Sequence, residues 1–245
     1  MPAHQLKNIP AVLLVGGKGT RLQPVVSSKP KPLAPVGEKS FLHLLIRQLR
    51  SQGIRELVMC SGYLADQIES ELGDGRALDV AIQYSKEDSP LGTAGALKLA
   101  EPFISGHSDF LVMNGDSFLE MDIPRFFEFH HAHRGLISVA VRRVENAARY
   151  GTVEVDGHFK ITGFKEKTGS AAPGLVNGGV YVFKSSLLAD IPAGPSSLER
   201  DVLPRLLDRG AFALEQQGMF IDIGTPEDYA RAQELCESMY KAAIR

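Results

Sequence analysis

Residues 11–22 have the sequence AVLLVGGKGTRL, and this stretch decides the fold class. Its first five residues form a short apolar run that ends at Gly16, which is typical of a buried parallel strand. The glycines that follow let backbone N–H groups approach an anion closely, since no Cβ intervenes. Arg21 lies inside this loop, and Lys31 lies beyond it between two prolines, which predicts an extended backbone at Lys31. The stretch therefore predicts a strand followed by a phosphate-binding loop.

The loop matches neither of two common phosphate-binding motifs. The dinucleotide fingerprint needs a third glycine where this chain has Thr20 and Arg21, and no Walker A sequence is present. The alternative is a plain strand-to-helix turn with surface lysine and arginine. The glycines alone fit either interpretation, but Arg21 and the proline-bracketed Lys31 favour a phosphate loop.

Apolar runs and helical periodicities alternate after this loop. Strands are predicted at 56–60, 80–84 and 110–113, and helices at 41–52, 64–72 and 94–102. This alternation predicts an α/β fold with a wound, mostly parallel sheet and helices on both faces. The second half has strand-like segments at 138–142, 151–155, 160–164 and 179–183, an Asp156-Gly157 hairpin pattern and a closing helix at 227–243. A mixed extension of the parallel sheet is therefore expected.

Composition is that of an ordinary globular protein. The 245 residues are 44% hydrophobic and 23% charged, with two cysteines and a net charge of −2, which argues against a general nucleic-acid binder. The apolar runs are too short to span a membrane, and the first residues lack the pattern of a secretion signal. We expect a cytoplasmic protein without membrane association. No linker or repeat is present, so residues 1–245 are predicted to form one domain with halves at about 1–135 and 136–245.

Three histidines follow phenylalanines on a predicted amphipathic helix. They are His130, His131 and His133, and no carboxylate or cysteine lies at ligand spacing from them. The pattern favours a solvated helix face over a metal site.

Residues 16–22 together with Pro30-Lys31-Pro32 resemble the opening motif of the sugar-phosphate nucleotidyltransferases. Five later segments resemble further motifs of that family, in its order: LGTAGA at 91–96, NGD at 114–116, FKEK at 164–167, NGGVY at 177–181 and DIGTP at 222–226. The set covers nearly the whole chain. The resemblance implies a Rossmann-like three-layer α/β/α sandwich with a mixed, mostly parallel central sheet, of the nucleotide-diphospho-sugar transferase type.

The resemblance also implies a Mg²⁺ site at Asp116 and Asp222. Asp116 follows a predicted strand, and ligands of open α/β sheets lie beyond the carboxyl ends of the strands. Such an aspartate is, on its own, more often a cap or turn residue. Mg²⁺ bound to phosphates needs only one or two carboxylates. The expected catalytic residues are Arg21, Lys31, Asp116 and Lys167.

Nucleotide contacts are expected from Gly16, Gly17, Gly19, Thr20, Glu87, Gly92 and Thr93. A carboxylate at Glu87 can accept both donors on the pairing edge of guanine, whereas uracil and thymine offer only one. The alternative is an acidic surface pair with Asp88. The resemblance implies that the sugar phosphate contacts Gly151, Glu166, Lys167, Asn177, Gly178 and Glu199. Without the resemblance, residues 165–167 are better explained as an exposed strand face.

These assignments predict a guanylyltransferase that joins GTP and a sugar 1-phosphate. The chain resembles the branch of the family that makes GDP-heptose from D-glycero-α-D-manno-heptose 1-phosphate, for capsule, S-layer or lipopolysaccharide glycans. The alternatives are a mannose-1-phosphate guanylyltransferase, a uridylyl- or cytidylyltransferase, and a non-catalytic regulatory subunit that binds nucleotide sugars. A homodimer through Met239 and Tyr240 stays open, although burial of both within the monomer is favoured.

Overall fold

The computed structural model describes residues 3–165 and 171–244. The strands of this part of the chain are β1 (Pro10–Leu14), β2 (Pro35–Val36), β3 (Lys39–Ser40), β4 (Glu56–Ser61), β5 (Ala81–Lys86), β6 (Asp109–Asn114), β7 (Ser117–Leu119), β8 (Ile137–Val144), β9 (Thr152–Val155), β10 (Ile161–Lys165), β11 (Gly174–Lys184), β12 (Ala211–Gln216) and β13 (Phe220–Asp222). Its α-helices are α1 (Phe41–Ser51), α2 (Ala65–Leu72), α3 (Gly92–Leu99), α4 (Glu101–Ile104), α5 (Ile123–His133), α6 (Pro226–Glu234) and α7 (Cys236–Ala242). Shorter 3₁₀ segments lie at Ala3–Asn8, Lys31–Leu33, Arg76–Leu78, Ser185–Asp190 and Leu203–Arg209, and a π-helical turn lies at Leu198–Val202.

The central sheet has the order β10-β9-β11-β6-β1-β4-β5, with β8 pairing with β11 and β12 pairing with β8. Strands β5, β4, β1 and β6 run parallel to one another, as do β8 and β12. Strand β11 joins this parallel part antiparallel to β6, and β8, β9 and β10 continue the antiparallel extension. The predicted mixed, mostly parallel sheet is confirmed, and β12 is a strand that the sequence patterns did not predict.

The apolar run of β1 is buried from both sides. Ala11 and Leu13 belong to one core cluster, which includes residues of α1, α5 and α7, while Val12 belongs to a second cluster with residues of α3. Successive residues of a strand point to opposite faces, so a run without polar residues implies a covered sheet. The predicted three-layer α/β/α sandwich is confirmed.

The last predicted helix is broken in two. At Leu235 the backbone leaves the helical region (φ −96°, ψ 5°), which ends α6 before α7 begins. Met239 and Ala242 of α7 are buried, and Met239 belongs to the core cluster that includes α1. None of the described helices combines the length and the apolar character needed to cross a membrane.

The expectation of a solvated histidine face was wrong for His130. This side chain is fully buried, with Nδ1 2.9 Å from Ser138 Oγ and Nε2 3.4 Å from Asp109 Oδ1. The carboxylate partner lies on β6, distant in sequence, so spacing along the helix could not show it. Within residues 3–165 and 171–244, no three histidine, cysteine or acidic side chains are grouped so that they could hold a metal ion.

Candidate active site

The loops that follow β1, β4 and β6 meet at one edge of the sheet, because these three strands run parallel. They surround a cavity of about 630 Å³. All of the residues expected to contact the nucleotide line it, together with three of the expected catalytic residues: Gly16, Gly17, Gly19, Thr20, Glu87, Gly92, Thr93, Arg21, Lys31 and Asp116.

The glycine loop packs closely on the Lys31 side chain. Gly19 has a φ of +57°, and a Cβ at this position would lie 2.8 Å from Lys31 Cβ. Only glycine accepts both the conformation and the approach. The backbone at Lys31 is not extended as expected: Pro30 is extended, but residues 31–33 form a 3₁₀ turn whose second position is Pro32. The turn leaves only 8% of the Lys31 side chain exposed.

Lys31 lies between the two aspartates expected to bind a metal ion. Its Nζ donates to Asp116 Oδ2 at 2.6 Å and lies 3.7 Å from Asp222 Oδ1. The aspartates are brought together by the antiparallel pairing of β13 with β7, which sets Asp222 opposite Ser117. The Ile223 N–H also donates to the carbonyl oxygen of Asp116 at 3.0 Å.

This carboxylate pair is suited to bind a divalent cation. Burial and the charge of Asp116 raise the pKa of Asp222, although Lys31 and the Gly224 N–H (2.6 Å) oppose the shift. One ammonium between two carboxylates leaves a net negative charge when both are ionised. Asp116 lines the first cavity and Asp222 lines a second one beside it, so both face open space. Two hard oxygen ligands open to phosphates fit the coordination that Mg²⁺ prefers.

The Glu87 carboxylate also lines the first cavity. Its Oε2 accepts from the Leu91 N–H at 3.0 Å. Its Oε1 lies against the loops after β1 and β4, since a Cβ would come within 3.0 Å of it at Gly16 and within 2.5 Å at Gly62. Glu87 is therefore held in place by backbone and is not a freely solvated surface residue. Gly62 was not singled out from the sequence, although it directly follows β4.

The second cavity, of about 230 Å³, shares Arg21, Asn114 and Gly224 with the first. Among the residues expected to bind the sugar phosphate, Gly151, Asn177 and Glu199 line it. Gly178 lines neither of the two cavities, and a Cβ there would lie 2.6 Å from Leu119 and 3.0 Å from the carbonyl oxygen of Ala140. Glu166 and Lys167 lie outside the described residues.

A hydrogen-bonded network ties the second cavity to the first. Glu199 Oε2 accepts from the Thr93 and Ser197 hydroxyls, both at 3.0 Å, and its Oε1 accepts from the Tyr181 hydroxyl at 3.5 Å. Asn177 Nδ2 donates to the same Tyr181 oxygen at 2.6 Å. Burial, followed by the Glu199 charge, raises the pKa of Tyr181 well above its usual value, so it stays a neutral hydroxyl. Thr93 thus positions Glu199 from the nucleotide side.

The second cavity also contains residues that were not among the expected site residues, although Asn114 and Thr225 lie within the NGD and DIGTP motifs. Arg149 and Tyr150 precede Gly151, and Thr225 and Asp228 begin α6. Asn114 lines both cavities, and its Oδ1 is buried without a hydrogen-bond partner in the described part of the chain. For Arg149 and Tyr150, the signal in the sequence was that they directly precede Gly151, an expected site residue.

The chain is similar to known proteins both in sequence and in structure. A family model described as nucleotidyl transferase matches residues 10–238. The chain is 36% identical over 226 residues to the D-glycero-alpha-D-manno-heptose 1-phosphate guanylyltransferase of Aneurinibacillus thermoaerophilus, covering 91% of this chain and 96% of that protein. It is 34% identical over 235 residues to the mannose-1-phosphate guanylyltransferase of Mycobacterium tuberculosis, covering 94% of this chain and 64% of that protein.

A solved structure is also similar over nearly its full length. HddC from Yersinia pseudotuberculosis, determined in complex with GMP-PN, matches with a TM-score of 0.83 and 33% identity, covering 92% of this chain and 98% of that one. The chain spans only 64% of the length of the mycobacterial relative and 60% of that of a related catalytic subunit from Drosophila melanogaster.

Proposed function

The chain belongs to the nucleotidyl transferase family, and from this premise we propose that it joins GMP from GTP to D-glycero-α-D-manno-heptose 1-phosphate, giving GDP-heptose and pyrophosphate. It would act in the cytoplasm as one domain. The observation that carries the proposal is the pair of adjoining cavities, which share Arg21 and have the Lys31, Asp116 and Asp222 cluster at their junction. The choice of heptose is supported by the match over 96% of the heptose relative's length.

The nucleophile in this reaction needs no protein base. The phosphate of a sugar 1-phosphate has a second pKa near ~6, so it is mostly a dianion at neutral pH. One of its oxygens attacks the α-phosphorus of GTP, the bond from that phosphorus to the bridging oxygen breaks, and pyrophosphate leaves with the electron pair. The chain therefore has to align the reactants and neutralise charge.

Each charged residue has a role in this scheme. Arg21, which lines both cavities, stabilises the triphosphate and the leaving pyrophosphate. Lys31 neutralises charge at the α-phosphate, since its ammonium lies at the junction of the cavities. Lys167 is proposed to hold the attacking phosphate in line. Asn177 and Glu199 are proposed to bind sugar hydroxyls.

A divalent metal ion completes the charge balance. Enzymes of this family generally use one, and we propose Mg²⁺ held by Asp116 and Asp222. When bound, it would neutralise phosphate charge at the centre of the reaction. Without such a cation, a triphosphate would approach a cluster whose own net charge is negative.

Guanine is the base that the Glu87 end of the cavity suits. Guanine offers N1–H and N2–H₂ side by side, and a carboxylate held by the Leu91 N–H can accept both. The names of the two guanylyltransferase relatives support the same base.

The test is pyrophosphate release by the purified chain with Mg²⁺, crossing GTP, UTP, CTP, dTTP and ATP with heptose 1-phosphate, mannose 1-phosphate and glucose 1-phosphate. The proposal expects the largest kcat/KM for GTP with the heptose. Preference for UTP or CTP would refute the assignment of Glu87. Saturable binding without release from any pair would favour a non-catalytic binding protein.

Mannose 1-phosphate is the second candidate, and a specific observation favours it. The similar relatives from M. tuberculosis, D. melanogaster and rice have mannose-1-phosphate guanylyltransferase names. The two sugars differ by one hydroxymethyl carbon, a difference worth only about 1–3 kcal/mol in a pocket. A higher kcat/KM for mannose 1-phosphate in the same assay would establish this alternative.

A further inference from the structure

The second cavity has two walls that come from distant parts of the chain. One wall is the segment after β8, which contributes Arg149 and Gly151. The other is the segment from Asp222 to the first turn of α6, which ends at Asp228. We call the first of these the sugar wall, because Gly151 is expected to contact the sugar phosphate. The proposed function requires the sugar wall and the metal-binding Asp222 to keep a fixed separation.

Arg149 bridges the two walls. Its Nη2 donates to both carboxylate oxygens of Asp228, at 2.7 and 2.8 Å, and its Nη1 donates to Thr225 Oγ1 at 3.2 Å. Thr225 is the N-cap of α6: it accepts from the Asp228 N–H at 3.3 Å and donates to Asp228 Oδ2 at 2.9 Å. The guanidinium is therefore fixed to a helix start that lies three residues after Asp222.

Other contacts hold the Arg149 segment without reaching α6, and Thr152, which follows Gly151, pairs with Val176 in the central sheet. The Tyr150 N–H donates to Ala147 O and the Ala147 N–H donates to Ala172 O, both at 2.9 Å, and neither bond reaches α6. The Tyr150 ring lies 5.8 Å from that of Phe220, a contact that fixes direction less sharply than charge-assisted hydrogen bonds do.

The pair is partly exposed, which limits what it adds to stability. The Arg149 side chain is 51% exposed and that of Asp228 is 17% exposed, and ion pairs that reach the surface contribute little to the free energy of unfolding. The position of the guanidinium, by contrast, is well defined by its three hydrogen bonds to Asp228 and Thr225. A pair with this combination of properties is suited to set the position of a loop more than to hold the fold together.

We infer that Arg149 and Asp228 form a clasp that positions Gly151 relative to Asp222 and so shapes the binding site for the sugar 1-phosphate. The inference rests on the proposed function and adds two positioning residues to it. Both act through their neighbours: Arg149 through Gly151, and Asp228 through the start of α6. Opening the clasp lets the sugar wall move away from the metal-binding side, while the loops around the base are untouched.

The test compares Arg149→Met, Asp228→Asn and the double variant, with the KM for sugar 1-phosphate and for GTP measured by pyrophosphate release. Each single change is expected to lower kcat/KM for the sugar 1-phosphate on the order of 10- to 100-fold, with a raised KM, since displacing a reactant by about 1 Å can cost ~10²-fold in rate. The GTP KM should stay within about twofold, and the double variant should be no worse than either single one. Arg209→Met is the control, because the Arg209 side chain is as exposed as that of Arg149 (49% against 51%) and forms a 2.7 Å pair with Asp190 away from both cavities.

A second readout does not depend on turnover. Hydrogen exchange of the Ala147 and Tyr150 amides, measured without substrates, should be faster in both single variants and unchanged in the Arg209 control. If Arg149→Met raised the KM for the sugar 1-phosphate strongly and Asp228→Asn did not, Arg149 would bind the phosphate directly. That result would overturn the clasp. Unchanged sugar KM and exchange in both variants would also overturn it. If the unmodified chain released no pyrophosphate, the proposed function would fail, and amide exchange would still decide whether the clasp exists.

Discussion

Replacing Gly62 with alanine tests whether the position of Glu87 determines the choice of base. A Cβ at Gly62 would lie 2.5 Å from Glu87 Oε1, 2.7 Å from its Cγ and 3.0 Å from its Cδ. All three atoms belong to the Glu87 side chain and none to the backbone, so the fold can absorb the clash by moving that side chain. The change therefore displaces the proposed base-recognition group without altering its chemistry.

The size of the effect follows from the distance. Glu87 Oε1 must retreat by about 0.9 Å to reach ordinary contact at 3.4 Å, and this movement also loosens the bond from the Leu91 N–H. Displacements of about 1 Å cost up to ~10²-fold in rate. We expect kcat/KM for GTP to fall about 10- to 100-fold, which is about 1.4–2.7 kcal/mol. The weaker activity with UTP should hardly change, because a carboxylate accepts only one donor from uracil.

The assay is pyrophosphate release with GTP and with UTP, alongside thermal unfolding. Gly106→Ala is the control, since a Cβ there has no atom within 4 Å and the residue lies at the amino-terminal end of β6, opposite the cavities. The melting temperature of both variants should stay within about 2 °C. A Gly62→Ala protein that kept full selectivity for GTP would refute the reasoning, and so would an equal loss with both nucleotides.

Three further outcomes are expected. Asp116→Asn should lower kcat on the order of 10²–10³-fold at unchanged circular dichroism, because it removes half of the carboxylate pair; near-normal pyrophosphate release would exclude Asp116 from the mechanism. Thr93→Val removes the hydroxyl that donates to Glu199, so the KM for the sugar 1-phosphate should rise about tenfold, and by more than the GTP KM, although Thr93 also lines the nucleotide cavity; an equal rise in the GTP KM would contradict this. Burial lowers the pKa of His130, with Asp109 opposing, so below pH ~6.5 the unfolded chain binds a proton that the folded chain does not. The free energy of unfolding in urea should therefore fall between pH 7 and 5, and fall less in His130→Gln; identical slopes would disprove the assignment.

Contiguous motifs explain why the nucleotide cavity could be anticipated from the sequence. Residues 16–21 follow a strand that hydrophobic patterning places in the middle of a parallel sheet, so their position at its carboxyl edge follows. Glu87 directly follows β5, another strand that the patterns predicted. Where local sequence fixes both the element and its end, the location of a side chain can be inferred without a structure.

Contacts between distant segments could not be anticipated in the same way. Strands β7 and β13 have three residues each, too few to show a periodicity, and yet their pairing brings Asp222 to Asp116. That Asp222 and Asp116 lie close together was therefore expected from the family resemblance alone. The contact of Arg149 with Asp228 likewise joins segments that no local pattern relates.

The division between the two cavities is a consequence of where β6 lies in the sheet. Its parallel neighbour β1 leads into the phosphate loop, while its antiparallel neighbour β11 pairs Val180 with Met113. Because β11 runs the opposite way, the residues just before Val180 must lie beside those just after Met113. Asn177 thereby reaches the edge where Asn114 lies. The pairing of β11 with β8 has a register shift between Asn177 and Val180, and such an irregularity bends a strand locally. A slip of one residue between β11 and β6 would turn the alternating side chains of β11 to the other face of the sheet. The register of β11 on β6 therefore places Asn177 of the second cavity next to the first cavity.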